Sequence, residues 1–410
     1  MTDRRNQMLP VGHASRLLTL GAVRSEYHYG PGCRVGTMGD AIGRVSLVYF
    51  VSTLSAGGAQ VGMVRLLDGL DRDRYDVTVV SVLSKENDLK ADVPGWVRVV
   101  DLEAVSAVRK PLALYRTVVE ADVLVCSLFH ATLVGRLLGA IVRTPVVVNW
   151  HHSERFSNRW RERAYLATAR LSDRILADSP AVADVLVSEY GLGRKVRTVP
   201  IAGVDSSAFS PRRHESADEL RVATIGSLIP PKKQIRVLET ARVLGARRDS
   251  PDVSFTIAGT GELEDELRER RDAWGLESVE FAGFVDDVPA FLEEHDVYLH
   301  TSDYEGLCIA ALEAMAAGLP VVSTRVGGLA TYVEDGRSGY LLDESDPETI
   351  ADALCRLTDP DRRREFGRRG REIVEASYSQ DTLVMSFESA IDECLDGTTV
   401  ERVEPVSRHR

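Results

Sequence analysis

Lysine is nearly missing from this chain. Only six of its 50 basic residues are lysine, at positions 85, 90, 110, 195, 232 and 233, and the rest are arginine. That bias points to a GC-rich or salt-adapted source and excludes no function. Cysteine is also scarce. The five residues Cys33, Cys126, Cys308, Cys355 and Cys394 are widely spaced and contain no Cys-x-x-Cys, which reads as reduced thiols in a cytoplasmic protein. No apolar run reaches the ~18 residues that suggest a membrane span, and the patch from Arg16 to Val23 is too short for a signal peptide. Any membrane contact is therefore expected to be peripheral, at the inner face of the cell membrane. Basic charge is outweighed, 50 residues against 62 acidic, for a net charge of −12, so nucleic acid is a disfavoured partner. No short-period repeat is present.

What is present is an alternation of apolar strands and helical segments. Residues 1–41 show no period and are expected to be a disordered extension. Strands are expected at Val45 to Val51, Tyr75 to Leu83, Val97 to Leu102, Asp122 to Leu128, Pro145 to Trp150, Arg174 to Ala177 and Val196 to Pro200. A second series runs through Leu220 to Gly226, Val253 to Ala258, Val279 to Phe281, Asp296 to His300 and Val321 to Ser323. Helical segments fall between most of them. The class is therefore α/β, with two Rossmann-like, doubly wound parallel-sheet domains facing a cleft. We place the first at 42–212 and the second at 213–380, followed by a last helix at 381–396 and a polar tail at 397–410.

One stretch organises the rest: Thr301 to Thr324, TSDYEGLCIAALEAMAAGLPVVST. It reads as strand, loop, helix and strand, an order that puts the loop at the carboxyl ends of the strands, where open sheets bind ligands. Amides near Gly306, Leu307 and Cys308 are expected to be unpaired at the helix start and to favour a phosphate. Glu305 and Glu313 flank them, and Glu313 sits in an otherwise apolar helix, where a carboxylate is costly without a partner. As a hydrolase pair the two are unsuitable, being about 12 Å apart along a helix.

The Glu-x7-Glu spacing, the LEAMAAGLPVV that follows and Gly327-Gly328 resemble the retaining glycosyltransferases of family 4, which have the GT-B fold. The resemblance covers roughly residues 44–395 and is more specific in the second half. It implies a nucleotide-sugar donor, UDP- or GDP-linked, held by the second domain and a hydroxyl acceptor held by the first. It further implies that Glu313 bonds the ribose and that Glu305 orients the donor sugar. By themselves Gly57 and Gly58, in the LSAGGAQ that follows the first strand, read better as a plain turn; their match to the family's glycine loop reverses that. NWHHSE resembles the place of a histidine near the transferred sugar, with His152 favoured over His151. His130, at another strand end, is an acceptor-side candidate.

IGSLIPPKKQ is similar to the element whose arginine and lysine grip the diphosphate, but Ser227 stands where the arginine is expected. Lys233 is favoured as the lysine because Ala241 lies eight positions on, with Lys232 as substitute and Arg325 as a replacement for the lost charge. Gly259 and Gly261, in AGTGE, resemble the turn beside the nucleotide, and Phe284-Val285 the place where the base is held. Residues 155–170, RFSNRWRERAYLATAR, interleave arginines with aromatics. Arg155 and Trp160 there read equally as a surface helix and as a contact for a lipid-linked, sugar or protein acceptor. No cofactor or metal is expected, since Asp71-Arg-Asp73 and Asp359-Pro-Asp361 fall in polar turns. A nucleotide-sugar epimerase of this fold and a catalytically weak partner subunit are the rival readings.

Overall fold

The computed structural model describes residues 44–83, 88–102, 105–106, 108–212 and 219–399. The expected extension at 1–41 and residues 400–410 of the expected tail lie outside them.

The first sheet has seven parallel strands, β1 (Val45–Val51), β2 (Tyr75–Ser81), β3 (Arg98–Asp101), β4 (Val123–Ser127), β5 (Val146–His151), β6 (Arg174–Ala177) and β7 (Val196–Thr198), in the spatial order β3-β2-β1-β4-β5-β6-β7. Helices α1 (Gly58–Gly69), α2 (Lys110–Val118), α3 (Phe129–Val142), α4 (Arg159–Thr168) and α5 (Pro180–Ser188) connect them. β1 and β4 are almost wholly buried and apolar, as strands covered on both faces must be. Local chemistry sets the helix starts. Asn158 and Ser179 accept the amides of Arg161 and Val182 and so cap α4 and α5.

The second sheet has six parallel strands, β8 (Glu219–Ile225), β9 (Asp252–Ala258), β10 (Val279–Gly283), β11 (Val297–His300), β12 (Val321–Thr324) and β13 (Gly339–Leu342), in the order β10-β9-β8-β11-β12-β13. Its helices are α6 (Ile235–Ala246), α7 (Glu264–Ala273), α8 (Val288–Glu293), α9 (Ile309–Ala316), α10 (Leu329–Tyr332), α11 (Pro347–Arg356) and α12 (Pro360–Ser377). The expected strands all form, with ends shifted by a residue or two. β13 was not expected, because it has four residues and opens on a glycine. Gly339 is needed there: a Cβ would lie 2.0 Å from the Val321 carbonyl oxygen.

The final helix, α13 (Gln380–Thr399), crosses back to the first domain. Leu383, Phe387, Ala390 and Ile391 join the core of the first sheet, and the Phe387 ring stacks on Trp150 at 5.7 Å. In both sheets strand order reverses beside the first strand, between β1 and β4 and between β8 and β11. Chains leaving such a point diverge and leave a crevice at the carboxyl ends. α1 starts just beyond the first crevice and α9 just beyond the second, and the two helices touch. Among the described residues no helix is long and apolar enough to cross a membrane.

Candidate functional site

The two crevices open on one cavity of about 1220 Å³, walled by both domains. On the first-domain side Gly57, extended at φ −159°, precedes α1, and Gly58 faces α9: a Cβ on it would lie 3.9 Å from Ile309 Cδ1. Both glycines line the cavity.

His152, just past β5, also faces it. Its Nδ1 lies 2.8 Å from Asp178 Oδ2 and its Nε2 2.7 Å from Ser127 Oγ. An ionised Asp178 can only accept, so Nδ1 donates to it, while Nε2 pairs with the Ser127 hydroxyl. Burial pushes the Asp178 carboxyl up, and His152 opposes that shift.

The other first-domain candidates, His151, His130, Arg155 and Trp160, are not among the residues that line the cavity. His151 is the last residue of β5, and its ring lies between Phe156 and Tyr165 at 5.2 and 4.9 Å. Burial, with His152 and Arg136 beside it, drives its pKa down to about 3, so it stays neutral. His130 lies in the first turn of α3 against Phe129. Trp160 is 58% exposed and packs edge-on to Phe129, and Arg155 sits over the Tyr304 ring. No residue of the basic aromatic stretch 155–170 is among those that line the cavity.

On the second-domain side Glu305 is 8% exposed and is held by three neighbours. Lys232 Nζ is 2.5 Å from its Oε1, His300 Nε2 is 2.6 Å away, and the Ser302 hydroxyl donates at 2.7 Å. Burial alone would raise the carboxyl; Lys232 and His300 outweigh it and hold Glu305 well below the usual carboxylate range. Burial would likewise lower His300, but the Cys308 sulfur and Glu305 raise it to about 9. Lys232 also ends up raised, its burial outweighed by Glu305.

Gly306, Leu307 and Cys308 line the wall up to the start of α9. Gly306 is needed there because a Cβ would lie 2.1 Å from the His152 carbonyl oxygen, where the two domains' backbones touch. Cys308 stands before α9 with φ 64°.

Glu313, one turn into α9, is bonded by Arg65 of α1. Arg65 also donates to the Ala202 carbonyl at 3.1 Å. Ser227 lines the cavity without a cation, and Arg325 does not replace it, since it pairs with Asp343 at 2.9 Å outside the wall. The preference for Lys233 over Lys232 also reverses. The left-handed backbone of Lys233, φ 53°, turns its side chain to Asp303, while Lys232 points inward. Arg65 and Lys232 are thus the arginine and lysine side chains of the wall among the described residues.

Gly259 lines the cavity at φ 130°, and a Cβ there would meet the Gly226 carbonyl at 2.1 Å. Gly261 lies behind the wall, packed on the Leu228 backbone. Phe284 and Val285 form the far wall. In each aspartate pair the first carboxylate accepts the amide of the second: Asp71 from Asp73 and Asp359 from Asp361.

Sequence reading missed Arg65, Asp178 and His300. Asp178 and His300 carried a signal, each at the carboxyl end of a strand; Arg65, inside α1, carried none.

Two family models match the chain: "Glycosyltransferase Family 4" over residues 56–207 and "Glycosyl transferases group 1" over residues 219–359. Among curated proteins, the D-inositol 3-phosphate glycosyltransferase of Paenarthrobacter aurescens (strain TC1) is 31% identical over 61% of this chain and 64% of its own length. The putative colanic acid biosynthesis glycosyltransferase WcaL of Escherichia coli (strain K12) is 32% identical over 48% of this chain and 51% of its own length. The chain thus spans between half and two thirds of the length of these relatives. Among solved structures, Anabaena HepE in complex with UDP-glucose superposes with a TM-score of 0.74 at 21% identity, covering 85% of this chain and all of that one. Sucrose-phosphate synthase from Thermosynechococcus elongatus gives 0.68 at 19%, covering 86% of this chain and all of its own. The fold is accordingly GT-B.

Proposed function

The chain belongs to glycosyltransferase family 4, and from that premise we propose that it moves a hexosyl group from a UDP- or GDP-sugar to an acceptor hydroxyl, retaining the anomeric configuration and using no metal. The observation that carries this reading is the segment from Glu305 to Glu313 at one switch point, facing the Gly57-Gly58 helix start and His152 at the other across a single cavity. Glu313 takes the ribose hydroxyls, and the first amides of α9 face the diphosphate. Glu305 receives donor-sugar hydroxyls in place of Lys232, whose ammonium is then free for the diphosphate. The bond from anomeric carbon to phosphate oxygen breaks as the bond to the acceptor oxygen forms, and the acceptor proton leaves with the phosphate. The acceptor is a sugar, a lipid-linked sugar or a protein, and the setting is assembly of cell-surface polysaccharide, glycolipid or glycoprotein. The names of the relatives support that setting. The enzyme works in the cytoplasm, in peripheral contact with the inner face of the membrane.

Calorimetric titration with UDP and GDP, in EDTA and in magnesium, tests the donor site alongside Glu313→Ala. One nucleotide is expected to bind without metal and to lose at least about tenfold in affinity in the variant. Absence of binding by either would overturn the donor assignment. It would favour the reading as a weak partner subunit, which the missing cation at Ser227 supports.

A further inference from the structure

Three side chains from one short stretch converge on the donor side of the cavity. His300 ends β11, Glu305 lies in the loop after it, and Cys308 precedes α9. Among the described residues they are the one group of three histidine, cysteine or acidic side chains whose ligand atoms all lie within 4.8 Å of one another. The Cys308 sulfur is 3.7 Å from both ring nitrogens of His300, and His300 Nε2 is 2.6 Å from Glu305 Oε1. Tetrahedral zinc, with bonds of about 2.0–2.3 Å, sets its ligand atoms roughly 3.3–3.6 Å apart. Sulfur and ring are close to that spacing already, and the imidazole and carboxylate have to separate by no more than about 1 Å. All three residues line the cavity, so an ion reaches them without unfolding. A thiolate, an imidazole and a carboxylate suit a borderline ion such as zinc, whereas magnesium prefers oxygen alone.

We propose that His300, Glu305 and Cys308 form a zinc site inside the donor pocket, and that the ion excludes the nucleotide sugar by taking Glu305. The second clause rests on the donor reading; the first does not. On binding, the ion replaces the proton between His300 and Glu305 and that of the Cys308 thiol, and both protons pass to solvent. Lys232, now 2.5 Å from Glu305 Oε1, moves off that oxygen. The fourth position faces the cavity and takes a water. Zinc here is an inhibitor, and no step of transfer runs through it.

The test uses the full-length chain stripped with EDTA and titrated with Co²⁺, whose thiolate complexes absorb by sulfur-to-metal charge transfer in the near ultraviolet. One equivalent is expected to bind with that absorption and to be displaced by Zn²⁺. Cys308→Gly should lack the band and still fold, since φ 64° suits glycine. His300→Asn should weaken zinc by at least about tenfold. No charge-transfer band, or an equal band in Cys308→Gly, would overturn the site. A titration with the glucose conjugate of whichever nucleotide, UDP or GDP, binds in EDTA, run with and without one equivalent of Zn²⁺, tests exclusion separately, because Glu305 takes the sugar hydroxyls: equal affinity in both overturns the second clause alone. If neither UDP nor GDP binds even in EDTA, the donor reading has failed and the cobalt result still decides the site.

Discussion

Arg65 of α1 and Glu313 of α9 belong to different domains, and their side chains form an ion pair across the cavity. The carboxylate that we assign to the ribose thus has an arginine of the first domain as its partner. Arg65 is 24% exposed and Glu313 10%, so the pair is too dry to be dismissed as a surface contact. Removing the cation leaves a nearly buried carboxylate with a lost charged partner, at a cost of about 1–3 kcal/mol. Arg65→Met is therefore expected to lower unfolding stability by that amount, and the added change Glu313→Gln to recover part of it. Urea unfolding of the two variants decides this. A single variant as stable as the wild type would mean that the pair contributes nothing in solution.

The link between His152 and Asp178 predicts a split between binding and rate. Asp178 is 3% exposed and accepts from Nδ1; an asparagine keeps an acceptor but loses the charge, and charge-assisted bonds are about twice as strong as neutral ones. Asp178→Asn should slow transfer by roughly ten- to a hundredfold and leave UDP affinity unchanged, because His152 is on the acceptor side. Comparable losses in both would place Asp178 in general folding instead.

Gly306 tests how closely the two domains must meet. A Cβ at 2.1 Å from the His152 carbonyl cannot be relieved by a rotamer change, since both partners are backbone. Gly306→Ala should open the cleft, seen as a larger radius of gyration by small-angle X-ray scattering, with a loss of transfer activity and unchanged far-ultraviolet circular dichroism. An unchanged radius with full activity would contradict the geometry.

Asp296 predicts an acid-sensitive anchor for the strand that leads into the site. Its carboxylate accepts the Arg221 amide and Nε, both at 3.1 Å, and Arg212 Nη2 at 3.1 Å. Burial raises the carboxyl, but Arg221 and Arg212 outweigh it, so its folded pKa lies below the unfolded value near 3.8. The stabilisation is therefore complete above that unfolded value and fades as pH falls through the depressed one. Asp296→Asn should cost about 3 kcal/mol at pH 7, and the gap to wild type should narrow below about pH 4. A gap that stays constant across that range would refute the ion-pair account.

Legibility followed periodicity. β1, β6 and the stretch from Thr301 to Thr324 were readable because buried parallel strands are continuous apolar runs, and because a glutamate inside an apolar helix demands a partner. Glu305, Glu313, His152, Gly57 and Gly58 were placed by the family resemblance, and all five line the cavity. Lys232 was ranked below Lys233 because spacing is blind to a left-handed residue, and φ at Lys233 decides which of two adjacent lysines points inward. For Trp160 and Arg155, composition marks a stretch as basic and aromatic but not what its side chains meet, which here are Phe129 and Tyr304.

The sequence by itself determined the alternation of strand and helix, the two sheets and the residues at their carboxyl ends, because those depend on local periodicity and on backbone rules that act within a few residues. Only the tertiary structure decided what those residues meet. Arg65 reaches Glu313 over 248 positions, and Asp178 reaches His152 over 26. Each contact depends on the angle at which two elements pack. Cys308 and His300 lie eight positions apart, and they meet because the chain turns back between β11 and α9. The contact between Arg65 and Glu313 is set by how the two domains close on one another and the other two by how loops fold within one domain, and no local pattern encodes either.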